Sequence, residues 1–308
     1  MRLLLVVNSF ASSVTARNRV IIEQTLGEHH DIDLRETNRR GHATRFAQDA
    51  AQRGVDVVVA LGGDGTLNEV ANGLAGSATA LATLPGGSTN VFARTIGLPN
   101  DPVAAARDVA VALDAKHIER IGLGLVNGRY FCFHTGIGLD AAIVCAVEQR
   151  ASLKRWLGHP LFIWAGLTTF ARGYDRHHPH FRVTCSDGSA VVDGYFTVVL
   201  NTNPYTYLGN RPLDLSPAAT LDRGLVAVTF RSLAVTTVLG GLATALRGGG
   251  LPDKPAIVTR SDLDGLVVES DRPFPYQLDG DYLGETRRLE FANAPGVLDL
   301  VLPLPAAS

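Results

Sequence analysis

Apolar residues recur along the first 115 residues in two alternating patterns. Continuous apolar runs, such as Leu3 to Val7 and 57–61, are separated by segments in which apolar residues return every three or four positions, as in 43–51. Continuous runs are typical of strands buried on both faces, and the three-to-four spacing indicates amphipathic helices. The alternation predicts a parallel sheet with helices on both faces.

The pattern changes near residue 117. Short extended segments follow one another, joined by Asn-Gly and Asp-Gly turns, and Asn127-Gly128 predicts a hairpin. Helical spacing returns only near 140–149, 160–172 and 234–247. This half of the chain is therefore predicted to be antiparallel and β-rich.

These two patterns predict two domains. Residues 1–120 would form an α/β domain around a doubly wound parallel sheet, and residues 121–308 a β-rich, sandwich-like domain. The extreme C-terminus is expected to pack back on the first domain. Because ligand pockets occur preferentially where domains meet, we expect an active site in the interdomain cleft.

Composition excludes some classes of protein. The 308 residues carry a formal net charge of −2 and are 46% apolar, and the three cysteines show no metal-ligand spacing. This charge argues against a protein that wraps nucleic acid. No apolar run approaches the roughly 20 residues that span a bilayer, and "MRLLLVVNSF" is typical of a first strand rather than of a signal peptide. We therefore expect a cytoplasmic protein.

The segment "GGDGTLNE", residues 62–69, joins a buried strand to a helix predicted to begin at Thr66 or Leu67. Its glycines permit a tight turn and the close approach of a ligand, and a helix N-terminus offers amide groups to an anion. Asp64 would repel a phosphate unless a divalent cation or a transferring proton lies between them, which favours a metal–nucleotide over a simple phosphate ligand. The alternative is that Asp64 only forms a turn or caps a helix.

A second glycine turn, "PGGSTN" at residues 85–90, follows the next strand. Ligands of open parallel sheets bind at the carboxyl ends of the strands. Two turns of small residues on neighbouring strands therefore indicate one phosphate site. The sequence does not contain the glycine–lysine loop of P-loop enzymes.

These two motifs carry a family resemblance. "GGDGTLNEV" followed by "LPGGSTNVFAR" resembles the diacylglycerol kinase catalytic domain family, which includes bacterial diacylglycerol kinases and the sphingosine kinases. "HTGIGLDAAIV", "SPAATLDRGLVAV" and "YQLDGDYLG" extend the resemblance over essentially the whole chain. It implies a lipid kinase that uses ATP and Mg²⁺, with diacylglycerol as the first expected acceptor. The nucleotide is expected in the first domain and the lipid in or beside the second.

The resemblance implies a nucleotide site made of small residues at the strand ends. Asn8, Ser12 and Thr37 fall where the family contacts the nucleotide, although "NSFASS" lacks the usual proline and glycine. The two turns supply the other nucleotide contacts, namely Gly62, Gly63, Asp64, Gly65, Thr66, Leu67, Asn68, Glu69, Gly87, Ser88, Thr89 and Asn90. Asp64 would also hold the Mg²⁺ that accompanies the nucleotide. Val91 replaces an aspartate common in the family, so we expect one polar contact fewer there.

The resemblance places the proton acceptor in the acidic turn "LDGD". Asp281 matches the family's proposed base, and Asp279 lies beside it. A carboxylate within hydrogen-bond reach can take the proton of a hydroxyl as it attacks the γ-phosphoryl group. Because aspartate is one methylene shorter than the family's glutamate, we expect Asp281 to lie deeper or to act through water. From the residues alone, an aspartate-rich hairpin turn is the alternative.

One position departs from the family. Many bacterial members hold a structural Mg²⁺ with an aspartate just before the glycine of "SPAATLDRGL", where this chain has Arg223, with Asp222 one place earlier. A guanidinium cannot replace a carboxylate as a cation ligand. We therefore predict no structural metal site there.

A lipid kinase meets its substrate at a bilayer. Residues 153–174 combine Lys154, Arg155 and Trp156 with further aromatic residues over a short apolar core, which is typical of an interfacial helix. A helix packed on the second domain is the alternative. We expect transient, peripheral association with the membrane and no nucleic-acid partner, and we leave a homodimer open.

Three alternatives for function are kept. A sphingoid-base or other lipid kinase would carry the same motifs. An NAD kinase is the second alternative, because NAD kinases are distantly related to the family. A catalytically silent nucleotide-binding regulatory protein is suggested by Val91, Arg223 and the altered "NSFASS" segment.

Overall fold

The computed structural model describes residues 1–149, 174–175 and 178–305. The chain divides into two compact units, one formed by Met1–Leu123 together with Pro295–Ser308 and the other by Gly124–Ala294. The predicted interfacial helix and the helix predicted near 160–172 lie outside the described residues.

The first unit is an α/β unit. Its elements are β1 (Arg2–Asn8), α1 (Ala16–Gly27), β2 (Asp31–Thr37), α2 (His42–Gln52), β3 (Val57–Gly62), α3 (Asp64–Leu74), β4 (Ala80–Pro85), α4 (Val91–Thr95), α5 (Pro102–Asp114) and the start of β5 (Ile118–Val126). The first four strands are parallel in the order β2-β1-β3-β4. The end of the C-terminal strand joins β4, where Leu300 lies beside Leu81. The predicted parallel α/β fold is confirmed.

Helices cover this sheet in two pairs. Helix α1 packs against α5, and α2 packs against α3. One core joins alternate strand residues such as Leu5 and Val59 to Ile22 of α1 and Val109 of α5. All residues of β3 and β4 are buried, as continuous apolar runs predict for strands covered on both faces.

Two features of the first unit differ from the sequence-based expectation. Helix α1 was not predicted, because only Ile22 and Leu26 of its residues are buried and no apolar stripe stands out. Helix α3 begins at Asp64 rather than at Thr66 or Leu67. Gly63 has an extended backbone and forms the N-cap, so β3 passes into α3 without an intervening loop.

The second unit is antiparallel and β-rich, as predicted. It contains the end of β5, then β6 (Arg129–Phe131), β7 (His134–Gly138), α6 (Leu139–Glu148), β8 (Phe181–Cys185), β9 (Ala190–Gly194), β10 (Phe196–Leu200), β11 (Thr206–Leu208), β12 (Arg211–Leu213), β13 (Leu225–Phe230), α7 (Val235–Arg247), β14 (Ile257–Leu263), β15 (Gly265–Leu278) and most of β16 (Asp281–Val301). The main strand order is β14-β13-β10-β7-β15-β16, with β8 beside β15 and β9 beside β8.

The hairpin predicted at Asn127-Gly128 is confirmed, because Val126 pairs with Arg129 across a two-residue turn. Strands β11, β12 and β14 were not predicted. The extended segments at 287–293 and 297–303 belong to one long strand, β16, rather than to two. The strand continues through Pro295 and Gly296.

Candidate active site

The two glycine turns of the first unit touch each other through their backbones. The amide of Gly86 donates to the carbonyl of Gly62 at 2.7 Å. A Cβ atom on Gly86 would lie 2.8 Å from the Cα of Gly62, and one on Gly87 would lie 2.9 Å from the Cα of Gly63. Real Cβ atoms do not approach backbone this closely, so glycine is required for the turns to meet. This reason is separate from the ligand approach that the sequence suggested.

Asp64 joins the second turn to the first. Its Oδ2 accepts from the amide of Val91 at 3.1 Å, and its Oδ1 accepts from the amide of Phe92 at 3.3 Å. The carboxylate therefore caps α4, whose own N-cap residue, Asn90, makes no side-chain cap bond. An ionised carboxylate has about four acceptor positions, and these two amides occupy one position on each oxygen. The side chain of Val91 is buried.

Asn8 and Thr66 meet at the carboxyl end of the sheet. The Nδ2 of Asn8 donates to the Oγ1 of Thr66 at 3.1 Å, and the Oδ1 of Asn8 accepts from the amide of Phe10. Thr37 ends β2 with its hydroxyl directed to the carbonyl of Val7, and its side chain is buried. Ser12 is exposed in the loop after β1.

Asn90 shapes the second turn from within. Its backbone is left-handed, with φ of 50°, and its side chain is buried. The Oδ1 accepts from the amide of Gly87 at 2.8 Å, while the Nδ2 donates to the carbonyl of Gly87 and to Asn100. Ser88 is exposed and Thr89 half-buried. These two hydroxyls are thus the accessible side chains of the turn.

The carboxylate of Glu69 caps a neighbouring helix. Its two oxygens accept from the amides of Gly41 at 2.8 Å and Ala43 at 3.1 Å, at the start of α2. Leu67 and Asn68 are buried, and Asn72 donates to the carbonyl of Asn68. These contacts give Glu69 a role in holding α2 against α3.

In the second unit, Asp279 and Gly280 form a two-residue turn between β15 and β16. Leu278 pairs with Asp281, and the turn residues have φ of 47° and 82°. The carboxylate of Asp279 is buried and accepts three backbone amides, from Cys132 at 2.7 Å, Phe133 at 3.0 Å and His134 at 3.1 Å. Asp279 therefore ties the turn to residues 132–134. The neighbouring Asp281 is partly exposed and opens β16.

A buried polar network lies behind this turn. The Oε1 of Gln277 accepts from the amide of Gly280 at 2.8 Å, and its Nε2 donates to the Oδ2 of Asp140 at 2.7 Å. The hydroxyl of Tyr205 donates to the Oδ1 of Asp140. Burial raises the pKa of Asp140, while the hydrogen bonds from Tyr205 and Gln277 oppose that rise. Burial also raises the pKa of Tyr205 well above its usual value.

His134 lies against this network. Its ring stacks on Tyr205 with 4.4 Å between centroids, and burial lowers its pKa to about 3. Sequence reasoning did not single out His134, Asp140, Tyr205 or Gln277 as site residues. For three of them the available signal was a polar side chain in a mostly apolar segment, as in "HTGIGLDA" for His134 and Asp140 and "PYQLDG" for Gln277.

Comparison with known proteins identifies the family. The family model described as diacylglycerol kinase catalytic domain matches residues 2–125. A protein of Pseudomonas aeruginosa (strain UCBPP-PA14) named probable lipid kinase YegS-like is 33% identical over 276 residues, which cover 89% of this chain and 85% of that protein. The chain belongs to the YegS-like and diacylglycerol kinase family of lipid kinases.

One further relative and one solved structure extend the comparison. The diacylglycerol kinase of Bacillus subtilis (strain 168) is 29% identical over 280 residues, covering 89% of this chain and 86% of that enzyme. The crystal structure of a diacylglycerol kinase from Bacillus anthracis str. Sterne superposes with a TM-score of 0.74 at 22% identity, covering 100% of this chain and 98% of that chain. The similarity to this crystal structure shows the fold. As a family member, the protein is a lipid kinase.

The departure from the family at Arg223 lies on the surface. Asp222 and Arg223 are exposed, and the amide of the following Gly224 donates to Asp262 at 2.9 Å. The hydroxyl of Thr220 holds the pKa of Asp222 below its usual value. Among the described residues, no three His, Cys, Asp or Glu side chains form a group that could hold a metal ion. No helix in the described ranges is long and apolar enough to cross a membrane.

Proposed function

We propose that this lipid kinase transfers the γ-phosphoryl group of ATP to the free hydroxyl of diacylglycerol, giving phosphatidic acid and ADP. The observation that carries the proposal is the acidic turn, in which a buried, amide-bound Asp279 holds the partly exposed Asp281 at the start of β16. A relative named diacylglycerol kinase, 29% identical over most of its length, supports the choice of acceptor.

The first unit offers donors and acceptors that suit a magnesium–nucleotide. The Asn8–Thr66 pair and the accessible Ser88 and Thr89 are polar groups at the carboxyl ends of β1, β3 and β4, where ligands of parallel sheets bind. Mg²⁺ usually binds through one or two carboxylates together with substrate phosphates and water, so Asp64 alone fits as its protein ligand. The ion would neutralise the charge that develops on the phosphoryl group.

In the proposed reaction, Asp281 takes the proton of the lipid hydroxyl. The hydroxyl oxygen forms a bond to the γ-phosphorus as the bond to the bridging β–γ oxygen breaks, and ADP leaves with that oxygen. Asp279 is poorly suited to this step because its carboxylate already accepts three amide protons. We therefore assign the proton transfer to Asp281 and the shape of the turn to Asp279.

We also propose that the enzyme is cytoplasmic and binds membranes peripherally. The side chains of Val235, Leu239 and Leu242 on α7 are 51%, 57% and 41% exposed at i, i+4 and i+7, and they form an apolar stripe. Arg247 is exposed in the last turn of the same helix and could attract anionic headgroups.

Leu239→Glu should reduce co-sedimentation with vesicles of phosphatidylcholine and phosphatidylglycerol. Val111→Glu, at a 54% exposed site on α5, is the matched control. Equal binding by both variants would reject the α7 surface.

A labelling assay tests the substrate. The protein is incubated with γ-labelled ATP, Mg²⁺ and a mixed lipid extract, and then separately with diacylglycerol, sphingosine and NAD. We expect label in phosphatidic acid. Label in another lipid would replace diacylglycerol by that acceptor, label in NADP would indicate an NAD kinase, and no product would indicate a silent nucleotide-binding protein.

The variant Asp281→Asn tests the base. Loss of a positioned general base should lower kcat by about 10² to 10⁴ fold, with nucleotide affinity unchanged. Asp271→Asn, at an exposed aspartate on β15, serves as a matched control and should keep full activity. An active Asp281→Asn enzyme would show that another group accepts the proton.

A further inference from the structure

The turn that carries Asp281 is held at both of its residues. The amide of Asp279 donates to the carbonyl of His134 at 2.9 Å, and the Asp279 carboxylate binds residues 132–134. The amide of Gly280 donates to the side chain of Gln277 at 2.8 Å. Gln277 is therefore the side-chain acceptor for the residue that directly precedes Asp281.

The orientation of the Gln277 amide is fixed by its second partner. Gln277 is fully buried, and its Nε2 faces the Oδ2 of Asp140 at 2.7 Å. An ionised carboxylate only accepts hydrogen bonds. A flipped amide would place two oxygens against each other and present NH₂ to the Gly280 amide. Asp140 thus keeps the Gln277 oxygen directed at the turn.

Gly136 makes room for this contact. It pairs directly with Gln277 between β7 and β15. A Cβ atom on Gly136 would overlap the Asp140 carboxylate and would lie 2.7 Å from the Gln277 Nε2. Asp140 lies in the first turn of α6, where the helix dipole favours a negative charge, and Tyr205 binds its other oxygen. The Asp140 carboxyl group is therefore buried where its two oxygens accept from the Gln277 amide and from the Tyr205 hydroxyl.

We propose that Asp140 and Gln277 are positioning residues for phosphoryl transfer, forming a buried relay from Tyr205 through Asp140 and Gln277 to Gly280 that sets the place of Asp281. The proposal rests on the assignment of Asp281 as the proton acceptor. Neither residue needs to touch the substrate. Their effect is on the distance and angle at which the Asp281 carboxylate meets the hydroxyl.

A reversal of the hydrogen bond tests the relay. Gln277→Glu keeps size and can still accept the Gly280 amide, but it sets a second carboxylate against Asp140, and an assay at about pH 9 works against a proton shared between the two carboxyl groups. A displacement of the base by about 1 Å should lower kcat by about 100-fold, with ADP affinity unchanged. In the double variant Asp140→Asn with Gln277→Glu, the asparagine donates to the glutamate and accepts from Tyr205. The double variant should recover kcat to within about fivefold of the native enzyme.

The matched control is Thr229→Val. It removes another buried hydrogen bond of the second unit, the 3.0 Å contact between the Thr197 and Thr229 hydroxyls, and should lower the melting temperature but not kcat. A Gln277→Glu enzyme with native kcat overturns the relay, and so does a double variant that stays inactive. Should Gln277→Glu fail to fold, the double variant decides alone: native-like kcat supports the relay, and inactivity or unfolding rejects it.

The background of Asp281→Asn separates this proposal from the proposed base. If Asp281 accepts the proton, adding Gln277→Glu to Asp281→Asn should cause no further loss of kcat. A further 100-fold loss would show that the relay acts on another group. A fully active Asp281→Asn would instead refute the base assignment and leave the hydrogen-bond reversal to report on whichever group the turn positions.

Discussion

The turns that carry Asp64 and Asp279 both use a carboxylate to bind backbone amides, but they obtain their shapes from different sources. In the first unit, Asp64 accepts two amides and the turn is shaped by glycine-to-glycine contact between residues 62–63 and 86–87. In the second unit, Asp279 accepts three amides and the turn is held by side chains from distant parts of the chain. The Asp64 turn keeps its shape because glycines leave room for close backbone contact. The Asp279 turn keeps its shape through hydrogen bonds to particular groups elsewhere in the second unit.

The largest expected difference between the turns is in the cost of neutralising each carboxylate. Asp279→Asn should lower the free energy of unfolding by about 3 kcal/mol, because the asparagine amide faces buried N–H donors and leaves at least one unpaired. Asp64→Asn should cost only about 1 kcal/mol, because its carboxylate is half-buried and accepts two amides as a helix cap. Urea unfolding of both variants measures the two costs. Equal costs would contradict the contrast.

The contact between the two glycine turns of the first unit should be nearly as sensitive to substitution as Asp279. Gly86→Ala places a Cβ atom 2.8 Å from the Cα of Gly62 and 2.9 Å from Val14, so the turns must separate. We expect a loss of about 2 to 3 kcal/mol in unfolding free energy, as for overpacked cores. Gly240→Ala in α7, where no atom lies within 4 Å, should instead stabilise the protein by about 0.5 to 1 kcal/mol. Thermal melts that rank the two variants in reverse would refute the packing argument.

The second unit should show a dependence of stability on pH that comes from His134. Because burial lowers the pKa of His134 to about 3, the unfolded chain binds a proton below its ordinary pKa of about 6.5 while the folded chain does not. The free energy of unfolding is therefore unaffected above about pH 6.5 and decreases as pH falls towards 3, because the unfolded chain takes up the proton. The decrease amounts to about 2 kcal/mol at pH 5. His134→Phe keeps the ring on Tyr205 and should reduce the loss of unfolding free energy between pH 7.5 and 5. An unchanged pH slope would show that His134 is accessible to protons.

The same contrast explains what the sequence could predict. Gly62, Gly86 and Asp64 lie within short motifs whose spacing reveals strand ends and turns, so the parallel sheet and both of its glycine turns could be predicted. The helix cap made by Glu69 could not, because its partners lie at residues 41–43 and only the fold brings them together.

The acidic turn of the second unit shows more clearly what a sequence cannot predict. "LDGD" is visible as a hairpin turn, but the interior that supports it joins residue 277 to residues 140 and 205. Such pairings depend on strand register, here Gln277 opposite Gly136, and a one-residue shift would abolish them. Register is set by the whole sheet and cannot be predicted from a single motif. The buried polar network was therefore not predicted, although the sequence shows each of its residues.

Strand β16 gives the first unit a second segment of chain. Leu298, Leu300 and Val301 are buried, the carbonyl of Val297 accepts from Gly76, and Arg120 binds Gly296 and Asp299. A ribosome that has released only the first 123 residues has therefore not yet supplied the strand that completes the parallel sheet. The first unit can reach its final form only after residues 295–301 have been made, so a deletion of that segment should impair a unit whose other residues, 1–123, were made much earlier.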